Sequence, residues 1–227
     1  MKSKPLIHAL LLLPFLSACT TNDPHQRAKT GAAIGAVVGA VAGHQMNDRS
    51  GKFVGAAVGA LAGAAIGNYM DDQQREFEES LAVEQERHDV EIERLKDDTL
   101  KLSVNNEVSF AFDSADISPA FKPTLSKLAR LLNKYNKTVV HIIGHTDNRG
   151  ANEYNETLSS RRADHVAFYL EDRGVPGARI RTEGRGESEP RATNTTEAGR
   201  QLNRRVEIYV KPIVEGDEET AYESPRY

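Results

Sequence analysis

Side chains that could attack, protonate or bind another molecule are concentrated in three stretches of the C-terminal half. They fall at 112–115, 144–163 and 184–208. Within them, His145, Asp147 and Ser159 are the residue types of a catalytic triad, which needs a base, an orienting acid and a nucleophile. Nothing in their spacing requires that arrangement, so it carries little weight.

Known hydrolytic patterns are missing from the sequence. Hydrolysis needs paired acids, a zinc site or an activated serine or cysteine, and neither GxSxG nor HExxH occurs. His141 and His145 are four residues apart, which is a metal-ligand spacing on a helix. We predict a strand at that position, however, and no third ligand is placed. We therefore expect neither catalysis nor a metal site.

Strand and helix patterns alternate through this half of the chain. β-branched and alternating apolar residues predict four strands, at 104–112, 138–145, 179–183 and 205–210. Apolar residues at helical spacing predict two helices, at 119–135 and 153–173. The fold class that follows is an α/β (α+β) sandwich over residues 100–213, with the helices on one face of the sheet.

Composition excludes several other functions. The net charge is −4, and no block of lysine and arginine stands out, so nucleic-acid binding is not expected. The chain has one cysteine in 227 residues, which excludes an intramolecular disulfide framework and a multi-cysteine metal site. Hydrophobic residues make up 39%, which is enough to build a packed core.

The N-terminus has the pattern of a secretory signal peptide. Two lysines precede an apolar run at 6–16, which is too short to span a bilayer. The Leu-Ser-Ala-Cys sequence that follows resembles a bacterial lipobox, which implies cleavage after residue 18 and lipidation of Cys19. We predict a signal peptide at 1–18, a lipidated tether at 19–30 and no cofactor besides the covalent lipid. An ordinary signal peptide with an incidental cysteine is the alternative.

Glycine recurs every fourth residue in two arms, from Gly31 to Gly43 and from Gly51 to Gly67. Glycine in a helix costs about 1 kcal/mol relative to alanine. The strict period therefore indicates a groove through which two helices pack closely. We predict a glycine-zipper helical hairpin at 31–70, similar to segments of outer-membrane lipoproteins. A flexible linker is the alternative, and both bilayer insertion and a homo-oligomer formed through the zipper stay open.

Two further segments are strongly charged. Between residues 71 and 98 there are twelve acidic and four basic residues, with no glycine or proline, which predicts a charged helical linker at 71–99. A weak coiled coil is possible there. The end of the chain, 214–227, is predicted to be an acidic disordered tail.

The three stretches together resemble the OmpA-like peptidoglycan-binding domain family. Their motifs are FDSA at 112–115, GHTDNRG at 144–150 followed by NxxLSxRRA at 155–163, and GRQLNRRVEI at 199–208. The match covers about half the chain. With the lipobox and zipper upstream, the architecture resembles YiaD-type outer-membrane lipoproteins.

That resemblance implies recognition of diaminopimelate in the peptidoglycan stem peptide. Asp147 would accept hydrogen bonds from the ligand ammonium, and Arg162 would bind its carboxylate with a planar donor fork. The choice of Arg162 over Arg161 comes from the resemblance. Further residues would line or shape the pocket: Phe112, Asp113, Thr146, Asn155 and Leu158. Each residue also has a purely structural alternative: Asp147 only caps a loop, and Arg162 forms a surface ion pair. Arg204 and Arg205 support the sheet end or pair with an acidic neighbour.

The resulting hypothesis is a non-catalytic anchor with two ends. Lipid on Cys19 would anchor the chain in the outer membrane. Thr20, directly after the cysteine, resembles the pattern of lipoproteins sorted to that membrane. The domain at 100–213 would bind peptidoglycan from the periplasmic side. Two alternatives carry other functions. One is a stator or secretion-system component, which usually has an uninterrupted transmembrane helix. The other is a membrane-active or self-assembling zipper protein in which wall binding is only a tether.

Overall fold

A computed structural model describes residues 61–110 and 114–226. The signal peptide, Cys19, the tether, residues 31–60 of the predicted hairpin, and the predicted site residues Phe112 and Asp113 lie outside the described residues. No helix within the described ranges is both long enough and apolar enough to cross a membrane.

The described residues form one mixed sheet with helices. The strands are β1 (Val90–Arg94), β2 (Leu100–Asn105), β3 (Thr138–His145), β4 (Ile180–Gly184) and β5 (Arg205–Pro212). The helices are α1 (Gly63–Ser80), α2 (Ala82–Glu86), α3 (Asn106–Ser109), α4 (Lys122–Lys134), α5 (Asn152–Glu171), α6 (Glu197–Asn203) and α7 (Glu218–Tyr222). A 3₁₀ turn, Gly177–Arg179, precedes β4.

The sheet has the strand order β1-β2-β5-β3-β4. The β3–β4 pair is parallel, and the other three pairs are antiparallel. Parallel neighbours need a crossover, which α5 provides here. β3 lies inside the sheet between β5 and β4 and is buried along its whole length, so its C-terminal end is a firm support for the loop that follows.

The core lies between one face of the sheet and the helices. Strand residues in this core include Leu102, Val140, Ile142, Val206 and Ile208. They share one apolar cluster with Leu125, Leu128 and Leu132 of α4 and with Val166 and Leu170 of α5. The predicted α/β sandwich is therefore confirmed, with α4 and α5 on one sheet face, although the short helix α7 lies on the other. The strand predicted at 138–145 matches β3 at both ends.

The first predicted strand is displaced. Residues 104–112 were predicted to be extended, but β2 ends at Asn105 and α3 follows at once. The side chain of Asn105 causes the change because its Oδ1 accepts a hydrogen bond from the Glu107 backbone N at 3.0 Å, as a helix N-cap does. This short helix brings Phe110 towards α5.

The prediction of a charged helical linker at 71–99 is wrong beyond Glu86. The helical part breaks at Leu81, and Val90–Arg94 forms an edge strand paired with β2. His88, with φ of 60°, turns the chain between α2 and β1. Apolar and charged residues alternate in β1 with the period of a strand. The charged residues on both sides of β1 made this short alternation hard to recognise in the sequence.

The helix before this strand is part of the domain rather than a spacer. α1 begins at Gly63, inside the predicted hairpin, and runs past its end at residue 70. Its Met70 and Phe77 are fully buried in the main core, as is Leu81 at its C-cap. The Lys137 backbone N donates to Tyr69 Oη at 3.1 Å, and Tyr135 Oη donates to Glu76 Oε2 at 2.7 Å. Of its acidic side chains, Asp72, Glu78 and Glu79 are exposed, whereas Glu76 bonds to the domain.

The predicted disordered tail at 214–227 is ordered in its described part, 214–226. α7 covers the second face of the sheet, where Ala221 packs with Val139 and Ile213. Lys211 Nζ donates to the carbonyls of Thr220 and Glu223, at 2.7 and 3.1 Å. Leu61 forms a parallel bridge with Val214, so the start of the described chain is bonded to this tail. The tail is held through its backbone carbonyls, which the acidic composition of its side chains does not reveal.

Candidate functional site

A cavity of about 520 Å³ opens beside the C-terminal end of β3. Loop, helix and strand ends from distant parts of the sequence surround it. Five of the seven residues predicted for the site line this cavity: Thr146, Asp147, Asn155, Leu158 and Arg162. The other two, Phe112 and Asp113, lie outside the described residues.

Asp147 follows β3 by two residues and is 6% exposed. Its Oδ1 accepts a hydrogen bond from the Arg149 backbone N at 3.0 Å, which closes a turn of the Asx type. Its Oδ2 forms an ion pair with Arg204 Nη1 at 2.6 Å. The Asp147 side chain therefore caps the loop, as in the structural alternative, and it also places a carboxylate at the cavity.

Arg162 lies on the inner side of α5 and is 3% exposed. Its Nε donates to the Ser114 carbonyl at 3.0 Å, and its guanidinium carbon lies 5.3 Å from the centre of the Phe110 ring. Arg161, its neighbour, is exposed at the surface. The helix therefore turns Arg162 and not Arg161 into this cavity, so Arg162 is not the surface residue that the alternative assumed.

Asn155 holds the loop that carries Asp147. Its Nδ2 donates to the carbonyls of Asp147 and Arg149, at 3.3 and 3.2 Å, and to Glu187 Oε2 at 2.7 Å. Thr146 fixes the start of the same loop because its backbone N donates to the Gly186 carbonyl at 2.8 Å. The loop is thus tied both to α5 and to the segment after β4.

Close packing of α5 on β3 sets the distance between Asp147, which follows β3, and Arg162, which lies on α5. A Cβ on Gly144 would collide with the carbonyl oxygen of Ser159, so no residue but glycine fits there. Ser159 Oγ also accepts a hydrogen bond from the Gly186 backbone N at 3.0 Å. Arg162 is carried one turn further along the same helix.

The cavity carries charges of both signs. Its acidic residues are Glu107, Asp147 and Glu197, and its basic residues are Arg149, Arg162 and Arg204. Burial acts to lower the pKa of Arg204, but hydrogen bonds to Asp147, Glu197 and Glu107 raise it above the ordinary arginine value. The side-chain hydrogen bonds of Arg200 and Arg204 lower the pKa of Glu197. The site as a whole can therefore receive a group that carries both an ammonium and a carboxylate.

Thr146 offers the cavity a further polar group. Its side chain is 5% exposed and lines the cavity, and its Oγ1 has no hydrogen-bond partner in the described part of the chain. A buried hydroxyl without a partner costs free energy unless a ligand or water satisfies it.

Sequence reasoning missed Arg204 as a site residue. It was expected to support the sheet end or pair with an acidic neighbour. The second part is right, but the neighbour is Asp147, 57 residues away in sequence. Phe110, Glu107 and Arg149 were also missed. The only signal for Arg204 was the Asn-Arg-Arg sequence directly before β5, which does not reveal the partner.

The residues of the hypothetical triad have other partners. His145 Nε2 lies 3.3 Å from Glu207 Oε2, and Ser159 Oγ donates to the Glu156 carbonyl at 2.8 Å. Asp147 is paired with Arg204. His141 Nε2 is 2.8 Å from the Ala221 carbonyl. Among residues 61–110 and 114–226, no group of three histidine, cysteine, aspartate or glutamate side chains could hold a metal ion.

Comparison with known proteins finds two families in this chain. The YMGG-like Gly-zipper family matches residues 1–71, and the OmpA family matches residues 109–204. The probable lipoprotein YiaD of Escherichia coli is 44% identical over 116 residues, which cover 51% of this chain and 53% of YiaD. The outer-membrane lipoprotein YfiB of Pseudomonas aeruginosa is 40% identical over 116 residues, 51% of this chain and 69% of YfiB.

A solved structure agrees with the sequence matches. The cell wall anchor of the T6SS from Pseudomonas aeruginosa is 35% identical and superposes with a TM-score of 0.55. The superposition covers 60% of this chain and 96% of that one. The chain spans about half the length of YiaD, the curated relative at 44% identity.

Proposed function

The chain belongs to the OmpA family, and on that premise we propose that it is a lipid-anchored outer-membrane protein that binds peptidoglycan without cleaving it. Similarity to an outer-membrane lipoprotein and to a cell wall anchor supports this assignment. Lipid on Cys19 would hold the membrane end, and the cavity beside β3 would bind the wall end from the periplasm.

The ligand we propose for this cavity is the diaminopimelate of the stem peptide. One observation carries this proposal: Asp147 and Arg162, both nearly buried, line the same cavity. A zwitterionic amino-acid head needs one anion and one planar donor fork, and charge-assisted hydrogen bonds of this kind are the stronger class. Asp147 would accept from the ammonium, and Arg162 would donate to the carboxylate.

The Asp147–Arg204 ion pair is compatible with this ligand. Each Asp147 oxygen accepts one hydrogen bond from the described residues, whereas an ionised carboxylate has about four acceptor positions. A ligand ammonium can therefore share Asp147 with Arg204. The shared pair also keeps the carboxylate oriented when the site is empty, which lowers the cost of ordering it on binding.

Co-sedimentation of the full chain, purified in detergent, with isolated peptidoglycan sacculi tests the proposal. Asp147→Asn and Arg162→Lys should each weaken binding by about 30-fold to several thousand-fold, because one ligand charge would be left unpaired or held by a single point charge. Arg130→Lys is the matched control, since Arg130 is exposed on α4 and outside the cavity.

Two results would contradict the proposal. Wild-type binding by the folded Asp147→Asn, Arg162→Lys double variant would place the site elsewhere. Release of soluble muropeptides from the sacculi during the assay would indicate an enzyme instead of a binding protein.

The lipid anchor has a separate test. Cys19→Ala should prevent processing and outer-membrane fractionation, because the thioether to lipid forms at that sulfur. Incorporation of labelled palmitate by the Cys19→Ala protein would contradict the anchor.

A further inference from the structure

A second cavity of about 380 Å³ adjoins the first along α5. Tyr154 and Leu158 line both cavities, so these two side chains form the boundary between them. Tyr154 is 49% exposed, which leaves its ring accessible on this boundary. We call these two adjoining cavities, which share Tyr154 and Leu158, the groove.

The spacing of residues on α5 explains why the groove continues. Tyr154, Leu158, Arg161 and His165 follow one another at intervals of four, three and four, and therefore share one helix face. Asn155, Leu158 and Arg162 occupy the neighbouring face at intervals of three and four. The first set lines the second cavity and the latter set lines the first cavity.

Residues 114–116 form one wall of the second cavity. Arg162 Nε donates to the Ser114 carbonyl at 3.0 Å, and one helical turn later His165 Nδ1 lies 2.7 Å from the Ala115 carbonyl. Because a carbonyl only accepts, Nδ1 of His165 carries the proton and donates. This wall of the second cavity is thus fixed to α5, the helix that carries Arg162.

Arg161 is the one arginine of the groove without a protein partner among the described residues. Its side chain lines the second cavity and forms neither a hydrogen bond nor an ion pair there. Arg149, in the first cavity, pairs with Glu197 at 3.3 Å, and Arg204 pairs with Asp147. Among the described residues, one acid lines the second cavity: Asp116, whose Oδ1 is 4.0 Å from His165 Nδ1 and which forms no ion pair with Arg161.

We propose that this second cavity is a subsite in which Arg161 binds a carboxylate of the stem-peptide residue next to the diamino acid. The inference rests on the proposed function, because the diamino-acid head in the first cavity sets the register of the peptide. Two carboxylates have the right chemistry: the free α-carboxylate of the γ-linked glutamate on one side, and the terminal carboxylate of D-alanine on the other. The Tyr154 ring lies between the subsites and would cover the aliphatic part of the peptide.

Calorimetry on the full chain in detergent separates the subsite from the main pocket. The ligands are free diaminopimelate, the tripeptide L-Ala-γ-D-Glu-diaminopimelate, the same tripeptide with its glutamate α-carboxylate amidated, and the tetrapeptide that adds D-alanine. Arg161→Gln should bind the peptide that supplies the carboxylate about three- to tenfold more weakly than wild type does, as expected for a lost hydrogen-bonded ion pair at a partly exposed site. Its affinity for free diaminopimelate should stay within about twofold of wild type.

The ligand series identifies which carboxylate is bound. If it is that of glutamate, amidation should weaken wild-type binding as much as Arg161→Gln does, and the amidated peptide should bind both proteins equally. If it is that of D-alanine, the variant should lose affinity only for the tetrapeptide. Arg130→Gln, on α4, is the control and should bind every ligand as wild type does.

Two outcomes overturn the subsite. Equal binding of all peptides by wild type and Arg161→Gln would reject it and leave the proposed function standing, provided that wild type binds diaminopimelate. An equal loss for free diaminopimelate and for the peptides would show that Arg161 acts on the main pocket. Failure of wild type to bind any of the four ligands would reject the proposed function and the subsite together.

Discussion

Asp147 and Glu207 are both nearly buried carboxylates paired with arginine, but their surroundings differ. From the described residues, Asp147 accepts one hydrogen bond on each oxygen, and it borders a cavity of about 520 Å³. Glu207, on the outer face of the sheet, has four partners: Tyr209 Oη at 2.7 Å, Arg205 Nε and Lys101 Nζ at 2.9 Å, and His145 Nε2 at 3.3 Å. We call these five residues the sheet-face network.

The difference distinguishes a carboxylate that supports the fold from one that can bind a ligand. Burial acts to raise the pKa of Glu207, but His145, Arg205, Lys101 and Tyr209 together hold it far below the usual glutamate range. Its acceptor positions are taken by the protein itself. Asp147 has acceptor capacity left, and its partner Arg204 has two other acids, Glu107 and Glu197, to pair with. Burial alone does not distinguish the two carboxylates, since Asp147 and Glu207 are 6% and 3% exposed.

Glu207→Ala should have the largest effect on stability, and it tests whether Glu207 and Asp147 differ in their structural role. Removing this carboxylate leaves Arg205 and Lys101 partly buried without their counter-ion, which should lower the free energy of unfolding by about 3–5 kcal/mol. Asp147→Ala should cost only about 1 kcal/mol, because Arg204 keeps two partners. Urea unfolding of both variants measures this difference. Equal losses would mean that both carboxylates are structural.

Tyr209→Phe tests one bond of the sheet-face network. The Tyr209 hydroxyl donates to Glu207 Oε2, and the phenol's pKa is raised by burial and by the neighbouring carboxylate. Loss of a hydrogen bond to a charged group should lower stability by about 1.5–3 kcal/mol without affecting sacculus binding. A binding defect in a stably folded Tyr209→Phe protein would show that the network and the cavity are coupled.

Lowering the pH should weaken the fold more than ligand binding. Burial lowers the pKa of His145 and His141 below the ordinary histidine value, so the unfolded chain takes up protons first as the pH falls below about 6.5. Between pH 7.5 and 5.5 stability should therefore fall, by at most about 1.4 kcal/mol for each histidine. The charged groups that act on these rings are Lys211, Arg181, Glu183, Arg205, Glu207 and Glu189.

A histidine variant and a binding assay complete this test. His141→Gln should reduce the pH dependence of the urea midpoint, since a glutamine amide can still donate to the Ala221 carbonyl. No histidine lines the first cavity within the described residues, so sacculus binding per folded molecule should change little over the same range. Unchanged stability at pH 5.5 would contradict the buried neutral state of both rings.

Arg149→Ala should have the smallest effect on stability. Its ion pair with Glu197 spans 3.3 Å, but the two side chains are 66% and 59% exposed, so solvent screens it. We expect a change of less than about 0.5 kcal/mol, because the backbone N that bonds to Asp147 is retained. A larger loss in urea unfolding would mean that the rim of the cavity supports the fold as the sheet-face network does.

Secondary structure was predicted most accurately where a segment carried a single periodic pattern. The β-branched run at 138–145 matches β3, and the helix predicted at 153–173 differs from α5 by one or two residues at each end. β1 was missed because its charged residues resemble those of the preceding helix. The turns that bound it use His88 and Asp98 with positive φ instead of glycine, so no glycine marks them.

The candidate site shows the same limit. Motif resemblance selected Asp147 and Arg162, and the fold places both of them, and not Arg161, at the first cavity. Residue types alone could not have separated the two adjacent arginines. The partner of Asp147 was not predictable, because Arg204 reaches it through the fold and not through any local spacing. The second cavity was missed for the same reason, since it depends on where residues 114–116 pack against α5.

The bridge between Leu61 and Val214 has a mechanical consequence. The Leu61 backbone N donates to the Ile213 carbonyl at 2.8 Å, and the Glu215 backbone N donates to the Leu61 carbonyl at 3.0 Å. Tension that enters the chain ahead of Leu61 therefore meets these two bonds before it reaches α1, whose buried Met70 and Phe77 resist next. Load therefore reaches the folded body first at this clamped point, directly after the end of β5, and only then at α1.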